Sequence, residues 1–368
     1  MSLPALIDRS PALPGLLEAC LPEQASCGFG IGADQLYGSA GGEFIERYSA
    51  GYVPDHFSEP SGSLIPATAF MPFTEEQYAR PGFTYTHPDS VEHLPYVTVH
   101  RALDHSAAAV PADLVYLNPG ERTRWCSITS NGLGAGRSFA MAARAAVFEL
   151  VERDSFMRAW YSKTSGATLR IPETIPRHFS PELRGTCRQL ALHGVTVTLV
   201  RLDGPGGIPV ILSCARSDRV GLAVGCSAKA DVRAAMTAAF IESLHTYNWG
   251  LAEGATAPLS EEVESLKDHI AFHAAPGHRA LNLFLDSGPE VEETEFVHGG
   301  IHTLPGTLLA LEDAGWQVYL KDVRSPDVAS HGWHVIRALS PQAATLDVDE
   351  PHLRQHPGAV HTTPHPFP

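Results

Sequence analysis

The chain has 368 residues, 44% of them hydrophobic, and a formal net charge of −15. This length and apolar content predict a substantial buried core, while the acidic balance argues against a nucleic-acid surface, which needs Lys and Arg to neutralise phosphates. The six cysteines show no Cys-x-x-Cys spacing and the chain opens with no basic segment followed by an apolar run, so we expect neither a zinc knuckle nor a membrane segment and take the cytoplasm as the default location.

The first half of the chain is predicted to contain two long helices separated by an irregular connection. From Gly32 to Tyr48 apolar residues recur every four positions, with Glu residues along a neighbouring stripe. Residues 52–121 are rich in Pro, Ser, His and Tyr, with strand-like pieces such as 96–99, and indicate an irregular connection. A second helix is predicted at 139–161, with a packing face of mostly small residues.

The second half is predicted to alternate short strands with helices. A third helix is expected at residues 231–249 and a last helix near 306–314, and the Pro- and Glu-rich stretch 256–300 indicates a surface excursion. Strands are expected at residues 195–202, 209–214, 221–224, 317–321 and 334–338. The alternation lacks a strict βαβ rhythm, which favours a mixed α/β fold.

One arrangement occurs twice: Gly-x-Gly, twelve residues, then Glu-x-x-Glu-Arg-x-Ser. The first copy contains Gly28, Gly30, Glu43, Glu46, Arg47 and Ser49, and the second contains Gly134, Gly136, Glu149, Glu152, Arg153 and Ser155. Residues three apart on a helix project from the same side, so each copy presents two neighbouring carboxylates. A single acidic helix face is usually solvated, but recurrence at the same spacing makes coincidence the weaker explanation. The pattern predicts an internal pseudo-repeat.

The paired carboxylates favour a magnesium–nucleotide site, in which several of these carboxylates converge on Mg²⁺. Mg²⁺ prefers oxygen ligands and bridges nucleotide phosphates, and arginines offset phosphate charge. Each glycine pair precedes its helix, where backbone N–H groups are able to approach an anion, although neither copy is a Walker loop or a dinucleotide fingerprint. For Arg47 and Arg153 the sequence leaves two interpretations open, an ion pair with a neighbouring Glu or a phosphate contact.

The sequence resembles the YcaO superfamily, specifically the cyclodehydratase subunits that install azoline rings in ribosomally made peptides. The stretch from Gly28 through Ser39 to Arg47 is similar to the family's Ser-x-x-x-Glu-x-x-Glu-Arg motif. A second match runs from Ser130 to Asp154 and includes Ser-Asn-Gly-Leu-Gly-Ala-Gly and Glu-x-x-Glu-Arg-Asp. The resemblance spans nearly the whole chain.

The later matches are looser and include departures from the family pattern. The third helix carries Glu242, but His245 and Tyr247 stand where the family has Gln and Arg, and Phe29 stands where relatives often have Lys. Near the end, Asp-x-x-x-Pro-Asp, Gly and Arg positions are matched by Asp322, Pro326, Asp327, Gly332 and Arg337. The terminus Pro364-x-Pro366-x-Pro368 resembles the cyclodehydratase signature.

The resemblance implies a mixed-sheet α/β fold formed as a single YcaO-like domain over residues 1–368, with ATP and Mg²⁺ as cofactors. The implied reaction is ATP-dependent backbone cyclisation at Cys, Ser or Thr of a precursor peptide. The implied nucleotide-binding residues are Ser39, Glu43, Glu46, Arg47, Asn131, Glu149, Glu152, Arg153, Glu242 and His245. The implied Mg²⁺ ligands are Glu43, Glu46, Glu149, Glu152 and Glu242, and the implied catalytic residues are Arg337 and Pro368.

The resemblance also implies partners. Besides the precursor peptide, we expect a separate E1-like subunit that binds the leader peptide, a flavin dehydrogenase subunit, and a homodimer of this chain within the larger complex. Two alternatives stay open: a YcaO-type enzyme that forms thioamides or amidines, and a non-catalytic scaffold subunit in which the departures at Phe29, His245 and Tyr247 have removed ATPase activity.

The last 20 residues, 349–368, are rich in Pro and His and are predicted to form an extended tail. Four of its histidines, His352, His356, His361 and His365, have no recognised ligand spacing. We therefore assign no transition metal and interpret the tail histidines as solvated or facing a partner. A Pro-rich end alone usually indicates a solvated tail, and its place after these motifs favours a functional one.

Overall fold

The computed structural model describes residues 7–9, 17–21, 26–30, 33–54, 59–70, 73–118, 120, 123–253, 257–299, 303–346 and 363–367. The strands are β1 (Ile7–Arg9), β2 (Leu17–Leu21), β3 (Ser26–Gly30), β4 (Ser63–Leu64), β5 (Tyr96–Arg101), β6 (Ala107–Pro111), β7 (Leu133–Gly136), β8 (Ala167–Ile171), β9 (Thr196–Asp203), β10 (Pro209–Arg216), β11 (Ala223–Ala228), β12 (Tyr319–Asp322) and β13 (His334–Leu339). The helices are α1 (Ala33–Ala50), α2 (Glu75–Tyr78), α3 (Phe139–Ser162), α4 (Pro181–Leu192), α5 (Val232–Glu253), α6 (Leu266–Ala274), α7 (Glu293–Phe296), α8 (Leu304–Asp313) and α9 (Pro326–Ser330). The predicted mixed α/β fold is confirmed.

The strands form three sheets. Their orders are β1-β2-β3, β11-β10-β9-β8 and β4-β6-β5-β12-β13-β7. Adjacent strands are antiparallel except for the parallel pair β4 and β6. The tight connection from β9 to β10 uses Gly206 and Gly207, whose φ angles of 67° and 71° are accessible to glycine at little cost. Within the described residues, no helix is both long and apolar enough to cross a bilayer.

The four-stranded sheet is covered on both faces by long helices. Along β10, Val210, Leu212 and Cys214 belong to the core that includes α3, while Ile211 and Ala215 belong to the core that includes α5. Every residue of β10 is buried, which explains why its sequence is an almost continuous apolar run. Helix α3 also contacts β7 and β13 and therefore lies between the two larger sheets.

Glycines allow two of these helices to pack directly on strand backbone. A Cβ atom on Gly134 would lie 2.5 Å from the backbone nitrogen of Ala146 and 2.6 Å from the carbonyl oxygen of Ala142. A Cβ atom on Gly225 would lie 2.4 Å from the carbonyl oxygen of Ala239. The sequence suggested that the glycine pairs admit an anion, but in the second copy Gly134 serves the close approach of α3 to β7.

Two regions are more regular than predicted. The irregular connection predicted at 52–121 contains β5 and β6, which belong to the six-stranded sheet. The strand-like piece predicted at 96–99 lies within β5, whereas β6 was not predicted. The Ala-Ala-Ala-Val-Pro sequence of β6 has weak intrinsic strand preference, and pairing with β5 overrides it. The surface excursion predicted at 256–300 contains α6, whose residues 269–274 are all buried. Six consecutive buried residues leave no solvent-facing polar stripe for sequence periodicity to detect.

Candidate active site

A cavity of about 600 Å³ lies between α1, α3 and α5. Eight of the predicted site residues line it: Glu43, Glu46, Arg47, Glu149, Glu152, Arg153, Glu242 and His245. The two copies of the repeat and the third helix therefore meet at one place, as the convergence hypothesis requires. Lys229, which the sequence analysis did not single out, adds a further cationic side chain to the wall.

The first copy of the repeat is anchored to the second by Glu46. Glu46 Oε1 accepts a hydrogen bond from the backbone N–H of Ala135 on β7 at 2.7 Å. One turn earlier, Glu43 Oε1 lies 2.8 Å from Arg47 Nη2 on the same helix. Arg47 thus makes the local ion pair that the sequence left as one of two interpretations, and it still faces the cavity.

The second copy has the same organisation one strand further on. Glu152 Oε2 accepts a hydrogen bond from the backbone N–H of Ala228 on β11 at 3.0 Å. Arg153 lies between the two carboxylates of this copy, with Nε 3.6 Å from Glu149 Oε1 and Nη1 3.6 Å from Glu152 Oε1. Within the described residues Arg153 Nη1 has no hydrogen-bond partner although it is buried.

The third helix adds Glu242 and His245. Glu242 Oε2 accepts a hydrogen bond from the backbone N–H of Cys226 on β11 at 3.0 Å. The ring of His245 lies 5.0 Å from that of Trp249, and both line the cavity. Tyr247 is different, because it lies in the core with its hydroxyl 2.8 Å from that of Ser217. Of the two departures on α5, His245 alone lines the cavity.

Burial and mutual repulsion raise the pKa values of these carboxyls. Burial is the largest cause in each case, and it raises the pKa of Glu46 and of Glu242 to about 8 and that of Glu149 to about 7. Repulsion from Glu149 adds to the effect at Glu46, and repulsion from Glu152 adds to it at Glu242. The pKa of Glu152 is also raised, mainly by burial. The cavity wall therefore holds more acidic groups than its cationic side chains neutralise.

The donor set fits a hard divalent cation. Five carboxylates face three cationic side chains, Arg47, Arg153 and Lys229, across the described cavity wall, and carboxylate oxygens are the ligands that Mg²⁺ prefers. Nevertheless, no three His, Cys, Asp or Glu side chains in the described part of the chain are close enough together to hold a metal ion. Three carboxylates are bonded to strand N–H groups and two others pair with arginines, so the coordination sphere is not preassembled.

Two predicted residues lie in a neighbouring, smaller cavity. Asn131 and Arg337 line it together with Asp113 and Cys126. The Nδ2–H of Asn131 donates to the carbonyl of Leu346 at 2.9 Å, so this side chain joins two parts of the fold. Ser39 lies in α1, but its side chain is outside the described residues, as are the side chain of Phe29 and the whole of Pro368.

Arg337 is buried, and within the described residues it has no carboxylate at hydrogen-bond distance. Its Nε–H and Nη2–H donate to the carbonyls of Leu114 and Thr129 at 2.9 Å and 2.8 Å. Burial lowers the pKa of Arg337 to about 10, and the nearby charge of Glu149 partly opposes that shift. These contacts hold two loops together, and the predicted catalytic role stays a prediction.

The interpretation of His365 as solvated or partner-facing is wrong. His365 and Phe367 are each 0% exposed. The ring of Phe367 packs 4.9 Å from that of Phe156, and the indole N–H of Trp160 donates to the carbonyl of Thr363 at 3.1 Å. The sequence did not predict this burial because the residues that cover the segment lie more than 90 positions away. Residues 347–362 lie outside the described residues, as do His352, His356 and His361 of the predicted tail.

A model of the YcaO cyclodehydratases, described as ATP- and Mg²⁺-binding, matches residues 28–344 of the chain. The chain belongs to the YcaO cyclodehydratase family. The match covers all three carboxylate-bearing helices. No curated protein matches the sequence.

Solved YcaO-like structures have the same fold. A heterocyclase in complex with substrate and cofactor is 19% identical, with a TM-score of 0.71, over 92% of this chain and 49% of that one. A YcaO protein from Methanopyrus kandleri bound with AMPPCP and Mg²⁺ is 20% identical, with a TM-score of 0.66, over 96% and 88%. The E. coli microcin synthetase McbBCD complex contains a chain that is 14% identical, with a TM-score of 0.67, over 100% and 98%. The present chain spans about half the length of the heterocyclase.

Proposed function

We propose that the chain is the ATP-using cyclodehydratase component of an azoline synthetase and acts in the cytoplasm. The observation that carries the proposal is the convergence of five carboxylates from three helices on one cavity, in a chain of the YcaO family. The heterocyclase similarity supports ring formation as the reaction, and the M. kandleri structure with AMPPCP and Mg²⁺ supports a nucleotide as the co-substrate.

In the proposed reaction a Cys, Ser or Thr side chain of the precursor peptide attacks the preceding amide carbonyl and loses its proton. The oxyanion that forms accepts the γ-phosphoryl group of ATP, and ADP is released. The nitrogen lone pair then forms the C=N bond as phosphate departs, and the nitrogen gives up its proton. With the proton already lost from the side chain and the oxygen carried off in phosphate, the peptide loses the elements of one water for each ring. Phosphorylation is useful because it converts an oxide, a poor leaving group, into phosphate.

The chain's own residues would position and neutralise the reacting groups. Mg²⁺ would be held by carboxylates among Glu43, Glu46, Glu149, Glu152 and Glu242, and would neutralise phosphate charge. Arg47, Arg153 and Lys229 are the cationic groups of the cavity available to phosphate oxygens. Ser39, Asn131, His245, Arg337 and Pro368 keep the nucleotide or catalytic roles that the family resemblance implies.

The proposed assembly contains further chains. The microcin synthetase that the chain resembles is a McbBCD complex, and its structure has also been determined with pro-MccB17 bound. By analogy we propose a precursor peptide as substrate, a separate E1-like subunit for its leader, a flavin dehydrogenase subunit, and a homodimer of this chain. We also propose that residues 1–368 form a single domain.

The test is mass spectrometry of the genomically adjacent precursor peptide after co-expression with this protein and its neighbours. We expect loss of one water per modified residue with the wild type and no loss with Glu149→Gln. Glu173→Gln, on the exposed surface, is the matched control and is expected to retain activity. A mass change from oxygen to sulfur would replace the proposal with thioamide formation, and an unmodified peptide would favour the scaffold alternative.

A further inference from the structure

Residues 363–367, here called the terminal segment, are held by two histidines that lie outside the carboxylate cavity. His269 and His273 are four residues apart on α6 and therefore project from the same side of the helix. The Nδ1–H of His269 donates to the carbonyl of His365 at 2.6 Å. The Nε2–H of His273 donates to the carbonyl of Pro364 at 2.7 Å. Two successive carbonyls of the terminal segment are bound by adjacent turns of one helix.

Ring N–H donors suit this segment because its prolines have no backbone N–H and cannot pair as a strand. The carbonyls of such a segment still need donors once they are buried. The segment also braces itself: the backbone N–H of Phe367 donates to His365 Nδ1 at 3.2 Å, and the ring of His365 stacks on that of His269 at 4.1 Å and 20°.

The orientation of His273 is fixed by a chain of buried hydrogen bonds. The Nδ2–H of Asn282 donates to His273 Nδ1 at 3.0 Å, which assigns the ring proton to Nε2. Asn282 Oδ1 accepts from Arg216 Nη1 at 2.7 Å, and Arg216 makes a two-pronged ion pair with Asp286 at 2.8 Å and 3.0 Å. All four residues are at least nine-tenths buried. This arrangement orients a donor at the terminal segment much as outer ligands orient a metal-binding histidine.

The other end of the terminal segment contacts the cavity. The guanidinium of Arg153 lies 4.0 Å from the centroid of the Phe367 ring. The same guanidinium lies 3.6 Å from carboxylate oxygens of both Glu149 and Glu152. Stacking on an aromatic face restricts a guanidinium without satisfying its N–H donors. Phe367 therefore limits where Arg153 can place its charge within the cavity.

We propose that His269 and His273 are positioning residues, which dock the terminal segment so that Phe367 holds Arg153 between two cavity carboxylates. Docking of the segment and binding of Mg–nucleotide in the cavity then depend on each other, and thermodynamic linkage makes the dependence reciprocal. The inference deepens the proposed function, since it assumes that the carboxylate cavity binds Mg–nucleotide. It assigns to α6, which carries none of the predicted site residues, a role in that binding.

The test uses the full chain with His273→Ala, Phe367→Ala and the double variant, together with His273→Gln. His278→Ala is the matched control, because the Nδ1–H of His278 donates to the carbonyl of Phe272 rather than to the terminal segment. Affinity for Mg–AMPPCP is measured by calorimetry, and exchange of the His365 and Phe367 amides is measured by mass spectrometry of the C-terminal peptide. Thermal unfolding of every variant normalises both readouts to folded protein.

We expect His273→Ala and Phe367→Ala each to weaken Mg–AMPPCP binding about tenfold. The double variant should bind Mg–AMPPCP no more weakly than the single variant with the lower affinity. Amide exchange of the terminal segment in His273→Ala should be about tenfold faster. His273→Gln keeps an N–H donor and should recover part of the affinity. In the wild type, Mg–AMPPCP should slow exchange of the segment.

Additive losses in the double variant, or faster exchange with unchanged affinity, would overturn the coupling. Wild-type protein that binds Mg–AMPPCP with this coupling but forms no rings with its partners would overturn the proposed function alone. Wild-type protein that does not bind Mg–AMPPCP would overturn both.

Discussion

Glu46 on α1 accepts a hydrogen bond from the backbone N–H of Ala135 on β7, across 89 positions of the chain. Its counterpart in the second copy of the repeat, Glu152, accepts one from Ala228 on β11. Each helix of the repeat is thereby joined to the strand that precedes the next long helix. The second Glu of the motif consequently has two tasks, since it links neighbouring strand–helix units and supplies an ionisable carboxyl group to the cavity.

These two tasks can be separated at Glu46. Glu46→Gln keeps an oxygen that accepts from Ala135 but cannot ionise to bind a cation, so we expect thermal stability to be retained and Mg–AMPPCP affinity to fall at least about tenfold. Glu46→Ala also loses the hydrogen bond and should cost about 1–2 kcal/mol of unfolding free energy. Calorimetry and denaturant unfolding measure the two effects. Equal nucleotide affinity in wild type and Glu46→Gln would remove Glu46 from the binding site.

Gly134→Ala tests the packing of α3 on β7. The added Cβ would lie 2.5 Å and 2.6 Å from backbone atoms of α3, which cannot move without shifting the helix. We expect a loss of about 2–4 kcal/mol in unfolding free energy. Gly41→Ala is the control, because a Cβ atom added there would have no atom from outside its own stretch of helix within 4 Å among the described residues, and Gly is a poor helix former. It should stabilise the protein by about 0.5–1 kcal/mol, and equal effects of the two substitutions would contradict the packing argument.

Arg337→Lys tests whether the buried guanidinium supports the fold. Lysine cannot reproduce the two bonds to the carbonyls of Leu114 and Thr129, so we expect a loss of about 2–3 kcal/mol in unfolding free energy. Arg170→Lys, in a half-exposed pair with Glu290, should change stability by less than about 0.5 kcal/mol. Denaturant unfolding measures both changes in unfolding free energy. An Arg337→Lys protein of normal stability that makes no rings would instead support a catalytic role.

The sequence predicted the convergence of the carboxylates because the repeat fixes both their spacing and their side of the helix. Helix α5 was also predicted close to its observed bounds, because the hydrogen bonds of a helix join residues that are near in sequence. The positions of Asn131 and Arg337 were not predictable in this way, because the smaller cavity depends on the packing of loops against β13. The bonds from Glu46, Glu152 and Glu242 to strand N–H groups likewise leave no periodic pattern.

Burial of the terminal segment illustrates a further limit. A Pro- and His-rich end has the composition of a solvated tail, and its partners His269 and His273 lie in a stretch whose sequence indicated a surface excursion. Each half of the interface therefore appears polar when considered alone. The signal that was present is the spacing of the two histidines, four residues apart, which places them on one side of a helix.

The raised pKa values of Glu46, Glu149 and Glu242 predict opposite effects of pH on stability and on ligand binding. The folded-state pKa values of about 8, 7 and 8 exceed the ordinary value of 4.5. These groups therefore stabilise the protein fully below about pH 4.5, and that contribution is lost as the pH rises towards 8, because the unfolded chain ionises first. Urea unfolding of the ligand-free protein between about pH 5 and 8 should show this decline in unfolding free energy. The unfolding free energy of Glu46→Gln should fall less steeply with pH.

Binding of Mg–nucleotide requires the ionised carboxylates, so it should release protons at about pH 7 and strengthen as the pH rises towards 8. Calorimetry with Mg–AMPPCP in two buffers of different ionisation enthalpy measures the number released. Glu46→Gln removes one of these groups and should release fewer protons than the wild type, whereas Glu173→Gln, on the exposed surface, should release the same number. Identical heats in the two buffers would mean that the carboxyls are already ionised at neutral pH, and that burial does not hold their protons as the geometry of the cavity indicates.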